Sequence, residues 1–306
     1  MTKPDVSIVI VNYNVKELIL KCLQSIEKYT SKNVKLEIIV VDNSSSDDSV
    51  SAIKKTFPEV IVVENNVNIG FPIANNQAFK IATGKYIFML NPDTELLDDA
   101  ISQLINFMEE NESVALAAPR LLNTDGSLQH SFWRFPKIRY VIADNFYLKK
   151  LIKSKYYKDK NINETLEVES VSGAAMFFRK SLFDSIGFLD ETLFWIEDID
   201  FCYRIVKSNM KIFYIPSIKI VHHIGQSAKK NYNISISNQI YNKIKFFNKH
   251  HSKTETMILK LHNFNFVILK IIAFGVLSPF KKMYYLKAKA YIYTLRRVFN
   301  PPIGIK

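Results

Sequence analysis

Glycine is scarce in this chain, with 8 among 306 residues. No Gly-x-Gly-x-x-Gly follows the first apolar run, and no Gly-x-x-x-x-Gly-Lys-Ser/Thr occurs. Both motifs need glycine where backbone approaches phosphate, so a dinucleotide dehydrogenase or a P-loop NTPase is not expected. Cysteine is nearly absent. Cys22 and Cys202 are the only two, and both sit in segments with helical spacing. A reducing compartment without a disulfide framework is expected. The N-terminus runs directly into a strand pattern at Val6 with no charged-then-apolar leader, so no secretion signal is expected. An uninterrupted apolar run of bilayer length is missing as well. Residues 264–280 are apolar, but Lys270 interrupts them. A spanning helix needs about 20 apolar residues, so a transmembrane helix is not expected.

Acidic residues run short in one place only. Residues 228–306 carry 15 Lys/Arg and one acid, Glu255, a local charge of +14. The remaining 26 basic and 28 acidic residues leave residues 1–227 at −2, so the overall +12 comes from the C-terminal quarter. That distribution points to a localised anionic partner rather than to a basic enzyme. No nucleic-acid module is recognisable in it, and no nucleic-acid partner is expected.

What is present is a folded α/β chain, 48% hydrophobic and 23% charged. Apolar runs at 6–11, 36–41, 61–63 and 86–90 read as strands, the last of them buried on both faces. Helical spacing fills 15–29, the stretch through Ile53 and Phe57, and 72–82. Short connections between alternating strands and helices predict a mainly parallel sheet flanked by helices. The strand ends are polar: Asn12-Tyr13-Asn14, then Asp42-Asn43-Ser44-Ser45-Ser46-Asp47, then Asn91-Pro92-Asp93. Pro92 cannot donate to a ladder and stops its strand. Asp93 is thereby left at the carboxyl edge of a central strand, where open parallel sheets bind ligands. A carboxylate there can hold a divalent cation against a phosphate. The alternative for Asp93-Thr94-Glu95 is an ordinary helix start.

Two features mark the second half. Val168 to Arg179 reads as a strand broken at Ser172-Gly173-Ala174-Ala175, where small residues admit a ligand or another backbone. Glu197 and Asp198 open a helix that continues through Ile199, Cys202, Tyr203 and Val206. Negative charge suits that helix terminus, and Asp200 and Arg204 are spaced to pair along it.

These ordered motifs, together with Asn68-Ile69-Gly70-Phe71 and Ala74-Asn75-Asn76, resemble the family 2 glycosyltransferases, closest to a rhamnosyltransferase-like branch that builds bacterial surface polysaccharides. The resemblance covers roughly residues 5–250. It implies a GT-A fold and a nucleotide-diphospho-sugar donor. It also implies a glycan or lipid-linked acceptor, Mg²⁺ or Mn²⁺, and inversion at the transferred sugar. By this resemblance Asp198 is the general base, with Glu197 its neighbour. Asp93 holds the metal. His222, in His222-His223-Ile224-Gly225-Gln226-Ser227, lies near metal and diphosphate, with His223 the alternative. Asp42 holds the base of the nucleotide. Asn12, Asn14, Asn43, Asp47, Asn68, Gly70, Asn76 and Asn91 complete the donor side, and Gly173 and Trp195 fall on the acceptor side. The family's usual Asp-x-Asp is Asn91-Pro92-Asp93 here, and Asn91 offers a neutral carbonyl oxygen in place of a carboxylate.

The expected organisation is a catalytic domain over 1–250, with its nucleotide-sugar half to about 120 and its acceptor half from 121. A helical appendage follows over 251–306. The appendage and its basic, tyrosine-rich stretch suit a peripheral contact on anionic lipid over 264–297. They also suit packing on the catalytic domain or on a second copy in a homo-oligomer. A second basic stretch, 137–158 with Lys149, Lys150, Lys153 and Lys155, is placed on the acceptor side. The expected location is the cytoplasm, at the inner face of the membrane. The rival readings are a non-catalytic nucleotide-sugar or glycan binder and a nucleotidyltransferase.

Overall fold

The computed structural model describes residues 3–145, 162–223 and 232–299. Lys149, Lys150, Lys153 and Lys155, and the Gly225-Gln226-Ser227 part of the histidine motif, lie outside the described residues. The first half follows the predicted alternation: β1 (Val6–Asn12), α1 (Lys16–Tyr29), β2 (Leu36–Asp42), α2 (Ser49–Thr56), β3 (Ile61–Glu64), α3 (Phe71–Ile81) and β4 (Tyr86–Leu90). These strands lie parallel in the order β3-β2-β1-β4. The chain moves outward from β1 to β3 and then crosses to the other side of β1 to make β4. The crevice between β1 and β4 is therefore a topological switch point at the carboxyl edge.

Thr94 does not start a helix. It begins β5 (Thr94–Leu96), followed by α4 (Ala100–Glu110) and β6 (Val114–Leu122). Then come β7 (Phe132–Trp133), α5 (Ile138–Asn145), β8 (Leu166–Glu167), β9 (Ser170–Val171), β10 (Ala175–Arg179), α6 (Leu182–Ile186), α7 (Glu197–Lys207) and β11 (Lys211–His222). Among the described residues the main sheet has nine strands, in the order β3-β2-β1-β4-β10-β6-β11-β5, with β8 on β11 off this path. It is mixed beyond β4. β10 inserts antiparallel between β4 and β6, β6 and β11 are parallel, and β11 runs antiparallel to β5.

Alternation along β1 explains the layering. Val6, Ile8 and Ile10 point into one core with Ile19, Cys22 and Ile26 of α1 and Ile101, Leu104 and Met108 of α4. Val9 and Val11 point into the other, with Ala74, Ala78 and Phe79 of α3 and Phe201, Cys202 and Ile205 of α7. One glycine is required by close approach. A Cβ on Gly84 would stand 2.5 Å from the Ser7 nitrogen and 2.8 Å from the Val6 carbonyl carbon.

The described residues form two compact units. The first holds residues up to Phe135, those from 162 to Thr192, and those from Glu197 to 223. The second holds Pro136 to 145, Leu193–Ile196 and 232–299. α8 (Tyr232–His250) falls in the second unit. α8 clusters with α9 (Lys253–Leu277) and α10 (Lys282–Phe299) because their side chains interlock. Arg297 of α10 reaches Ser237 Oγ at 3.1 Å and stacks over the Tyr241 ring. Phe274 of α9 stacks on Tyr291 of α10 at 5.9 Å. α9 has 25 residues and is, by length and composition, long and apolar enough to cross a membrane. The helix runs on through Lys270, whose amine lies over the rings of Phe266 and Phe274.

Candidate active site

Parallel pairing puts the ends of β1, β2 and β4 on one edge, with Asn12 opposite Asp42. Asp42 is buried, and both of its oxygens brace the turn that follows. Oδ1 accepts from Asn12 Nδ2 at 2.7 Å and Oδ2 accepts from the Ser45 nitrogen at 2.8 Å. Each oxygen keeps a lone pair for a ligand. Asn12 Oδ1 is buried and has no hydrogen-bond partner among the described residues. Asn43 Oδ1 accepts from Asn65 Nδ2 at 3.0 Å. An open groove of about 620 Å³ runs beside Asp42 between Ser44–Ser51 and Glu64–Asn66.

Several donor-side residues turn out to be braces. Asn14, in left-handed backbone at φ 53°, accepts from the Ser46 nitrogen at 2.7 Å. Asp47 accepts from the Lys16 nitrogen at 2.8 Å, tying the start of α1 to the start of α2. Slight burial pushes the Asp47 carboxyl up, but the bonds from Ser49 and Lys16 outweigh it and hold the group below the usual range. Asn68 Oδ1 accepts from the Gly70 nitrogen at 3.0 Å, and Gly70 has φ 89°, a conformation that favours glycine. Asn76 belongs with these braces. It is buried and spent on the 187–191 loop, donating to the Leu189 oxygen at 2.9 Å and Glu191 Oε1 at 3.0 Å and accepting from the Leu189 nitrogen at 3.1 Å. Arg204 fastens the same loop from α7, with Asp200 at 2.9 Å and the carbonyls of Phe188 and Ile186.

At the end of β4 the turn is held from three sides. The Asn91 nitrogen donates to the Ala174 oxygen, Thr94 Oγ1 donates to the Asn91 oxygen, and Cys22 packs beneath. Burial pushes the Cys22 thiol up to about 12, so it is inert there. Antiparallel pairing of β11 with β5 sets His222 opposite Thr94, and the His223 nitrogen donates to the Asp93 oxygen at 2.8 Å. His222 Nε2 thereby lies 3.2 Å from Asp93 Oδ1 and 3.3 Å from Asn91 Nδ2. His223 Nε2 instead meets Glu95 Oε1 at 2.7 Å. Of the two histidines, His222 faces Asp93. Asn91 turns its Nδ2 toward His222.

Among the described residues, no group of three His, Cys, Asp or Glu side chains is placed to hold a metal. One carboxylate and one imidazole converge, however, and such a pair suits a hard divalent cation whose other positions are filled by phosphate and water oxygens. The residues fit a cation carried in with a diphosphate.

Asp198 lies in the first turn of α7. Its Oδ2 accepts from the Gly173 nitrogen at 3.0 Å and its Oδ1 from the Ile199 nitrogen at 2.7 Å. Burial pushes its carboxyl above the usual range, with those two bonds opposing. Gly173 is used through its N–H. A Cβ there would make ordinary contacts, 3.4 Å from Met89 and 3.5 Å from Asp198 Cβ, so close approach does not require glycine at this position. Glu197 is buried beside Asp198. Trp195 is 40% exposed in left-handed backbone, within the second unit. Sequence reasoning missed Gln129, whose Oε1 lies 2.7 Å from His222 Nδ1.

A model of the family described as glycosyl transferase family 2 matches residues 7–187, more than half of the chain. The chain belongs to glycosyl transferase family 2. Within this family it is 40% identical over 112 residues to a poly(ribitol-phosphate) beta-glucosyltransferase of Bacillus spizizenii, a match spanning 35% of this chain and 18% of that protein. It is 22% identical over 240 residues to an N-acetylglucosaminyl-diphospho-decaprenol L-rhamnosyltransferase of Mycobacterium tuberculosis, spanning 73% of this chain and 78% of that protein. Among solved structures it resembles a Pyrobaculum calidifontis mannosyltransferase in complex with GDP-mannose and Mn²⁺. The TM-score is 0.59 at 16% identity, over 98% of this chain and 88% of that one. The family 2 fold here is GT-A, as the sequence resemblance implied.

Proposed function

We propose that this family 2 chain is an inverting glycosyltransferase. It moves a sugar from a nucleotide-diphospho-sugar to a hydroxyl of a glycan or lipid-linked acceptor in surface-polysaccharide synthesis. The observation that carries this reading is the convergence of Asp93 and His222 at the switch point, on the edge that also bears Asp42. Asp42 and the turn it braces receive the nucleotide. Asp93 and His222 hold Mg²⁺ or Mn²⁺, which supplies charge neutralisation for the departing diphosphate. Asp198 accepts the proton of the acceptor hydroxyl. Its raised pKa makes it a stronger base than an ordinary surface carboxylate, and its two backbone N–H bonds fix its aim. The oxygen so freed attacks opposite the diphosphate, and one displacement inverts the sugar. Rhamnose and glucose are the sugars to try first, since the named relatives transfer them.

The second unit is read as a contact with anionic lipid at the cytoplasmic membrane face. α9 leaves Leu261, Ile272 and Val276 exposed, and α10 has no acid in its first turn and presents an exposed Arg296 near its end. Apolar side chains beside basic ones suit that surface. It would bring the enzyme to a lipid-linked acceptor.

Release of nucleoside diphosphate from UDP-, GDP- and dTDP-sugars, with and without Mn²⁺, tests the catalytic reading. Metal-dependent release from one nucleotide class, lost in Asp198→Asn, is expected. Binding without release in the presence of membrane extract would favour the non-catalytic binder.

A further inference from the structure

We propose that Gln129 is the positioning residue that sets the tautomer of His222 for cation binding. The inference rests on the metal role given above to Asp93 and His222. Gln129 follows a tight turn in which the Gly126 nitrogen donates to the Asn123 oxygen at 2.9 Å and the Asn123 nitrogen donates to the Ser127 oxygen at 2.8 Å. Asp125 Oδ1 accepts from the Ser127 nitrogen at 2.9 Å, and Gly126 takes φ 77°. The returning arm bonds back to β6, with the Gln129 nitrogen donating to the Leu121 oxygen at 3.0 Å. β6 is the parallel neighbour of β11, so this arm ends beside His222.

The Gln129 amide is buried, and its orientation is decided by its partners. Nε2 faces two acceptors, Asn123 Oδ1 at 3.2 Å and the His222 carbonyl oxygen at 3.2 Å. Neither can donate, so the nitrogen end of the amide belongs there. The oxygen end is then the atom 2.7 Å from His222 Nδ1. A carbonyl oxygen only accepts, so Nδ1 carries the proton. In the neutral ring, Nε2 is left as the lone-pair atom, 3.2 Å from Asp93 Oδ1. Asn91 Nδ2, 3.3 Å away, is an N–H that can donate to that lone pair, which agrees with the same tautomer. Two electron-rich atoms are thus held near each other, and a divalent cation bound to both would replace the Asn91 N–H as the partner of Nε2. Ring nitrogens opposite a metal are commonly fixed by such a partner, and losing it costs about 10–100-fold in metal affinity.

The test pairs Gln129→Leu with Gln129→Glu. Both lose the Nε2 donor, but only Glu keeps an acceptor for Nδ1. In ¹⁵N-histidine NMR of the metal-free protein, with His222 assigned through His222→Asn, the wild type is expected to show the Nδ1–H pattern. Gln129→Leu is expected to lose it and Gln129→Glu to retain it. Mn²⁺ binding with UDP, GDP or dTDP, read by electron paramagnetic resonance, is expected to weaken about 10–100-fold in Gln129→Leu and only a few-fold in Gln129→Glu. An Nε2–H pattern in the wild type would overturn the inference and leave the metal reading standing. So would equal losses of Mn²⁺ affinity in the two variants. Absence of Mn²⁺ binding by a wild type with the Nδ1–H pattern would overturn the metal reading, and the role of Gln129 with it. The NMR arm on the wild type needs only the His222→Asn assignment variant to fold, not either Gln129 variant.

Discussion

Replacing Asp198 with Asn removes the base while keeping shape. An amide has one carbonyl oxygen, yet two backbone N–H groups aim at this side chain, from Gly173 and Ile199. One of them must then face an NH₂. Leaving a buried donor unsatisfied costs about 1–3 kcal/mol. An opposing term comes from the raised carboxyl of Asp198. Because its folded pKa lies above the unfolded one, its contribution favours the fold below the unfolded value and is lost as pH rises through the folded pKa. At neutral pH the ionised group is a burden that Asn lacks. The two terms offset, so the melting temperature should move by only a few degrees. The rate should not be spared. Loss of general-base help removes roughly 10²–10⁴-fold, about 3–5 kcal/mol of transition-state stabilisation at 1.36 kcal/mol per decade. The assay is sugar transfer at saturating donor, with donor KM and melting temperature measured alongside. In the wild type the acid limb of kcat should lie above the ordinary carboxylate range, since only the deprotonated form accepts a proton, and it should vanish in the variant. A folded Asp198→Asn enzyme within tenfold of wild type would refute the assignment.

Three further outcomes follow from packing. Gly84→Ala puts a Cβ into the backbone of β1 and should cost about 1–3 kcal/mol or more, read as a lower urea midpoint. An unchanged midpoint would mean that this approach relaxes freely. Arg204→Leu removes the cation paired with buried Asp200 and strips the 186–188 carbonyls of their donor. A loss of about 3–5 kcal/mol is expected, and Arg204→Leu/Asp200→Leu should recover part of it. Asn76→Ala unpins Leu189 and should cost about 2–4 kcal/mol by thermal unfolding, from two buried backbone groups left unpaired. Donor affinity should stay within a few-fold, whereas a large loss with stability intact would favour the donor-contact reading.

The half of the sheet made by β1 to β4 was legible because each strand is a short apolar run closed by polar turn residues. Asp93 was legible because Pro92 ends its strand. The Asp200–Arg204 pair followed from helix spacing alone. Other features depend on contacts far apart in the chain. Asn76 reads as a polar group near a ligand-binding turn, but its partner is 113 positions away. Nothing in the run Ala175–Arg179 says that it inserts antiparallel between β4 and β6. His222 and His223 have the same local sequence context, and only the register of β11 on β5 separates them. Gln129 sits in a turn of ordinary composition and gains meaning only from β6 lying beside β11. That α8 groups with α9 and α10 in the second unit is likewise not revealed by its periodicity.

The most direct test of the account is donor binding at Asp93. Thermal shift with dTDP-, UDP- and GDP-sugars, each with Mg²⁺, Mn²⁺ or EDTA, should be run on the wild type and on Asp93→Ala. The account predicts a metal-dependent shift with one nucleotide class that disappears in Asp93→Ala. A shift that survives both EDTA and Asp93→Ala would contradict the cation role of Asp93, and no shift with any nucleotide sugar would contradict the donor site itself.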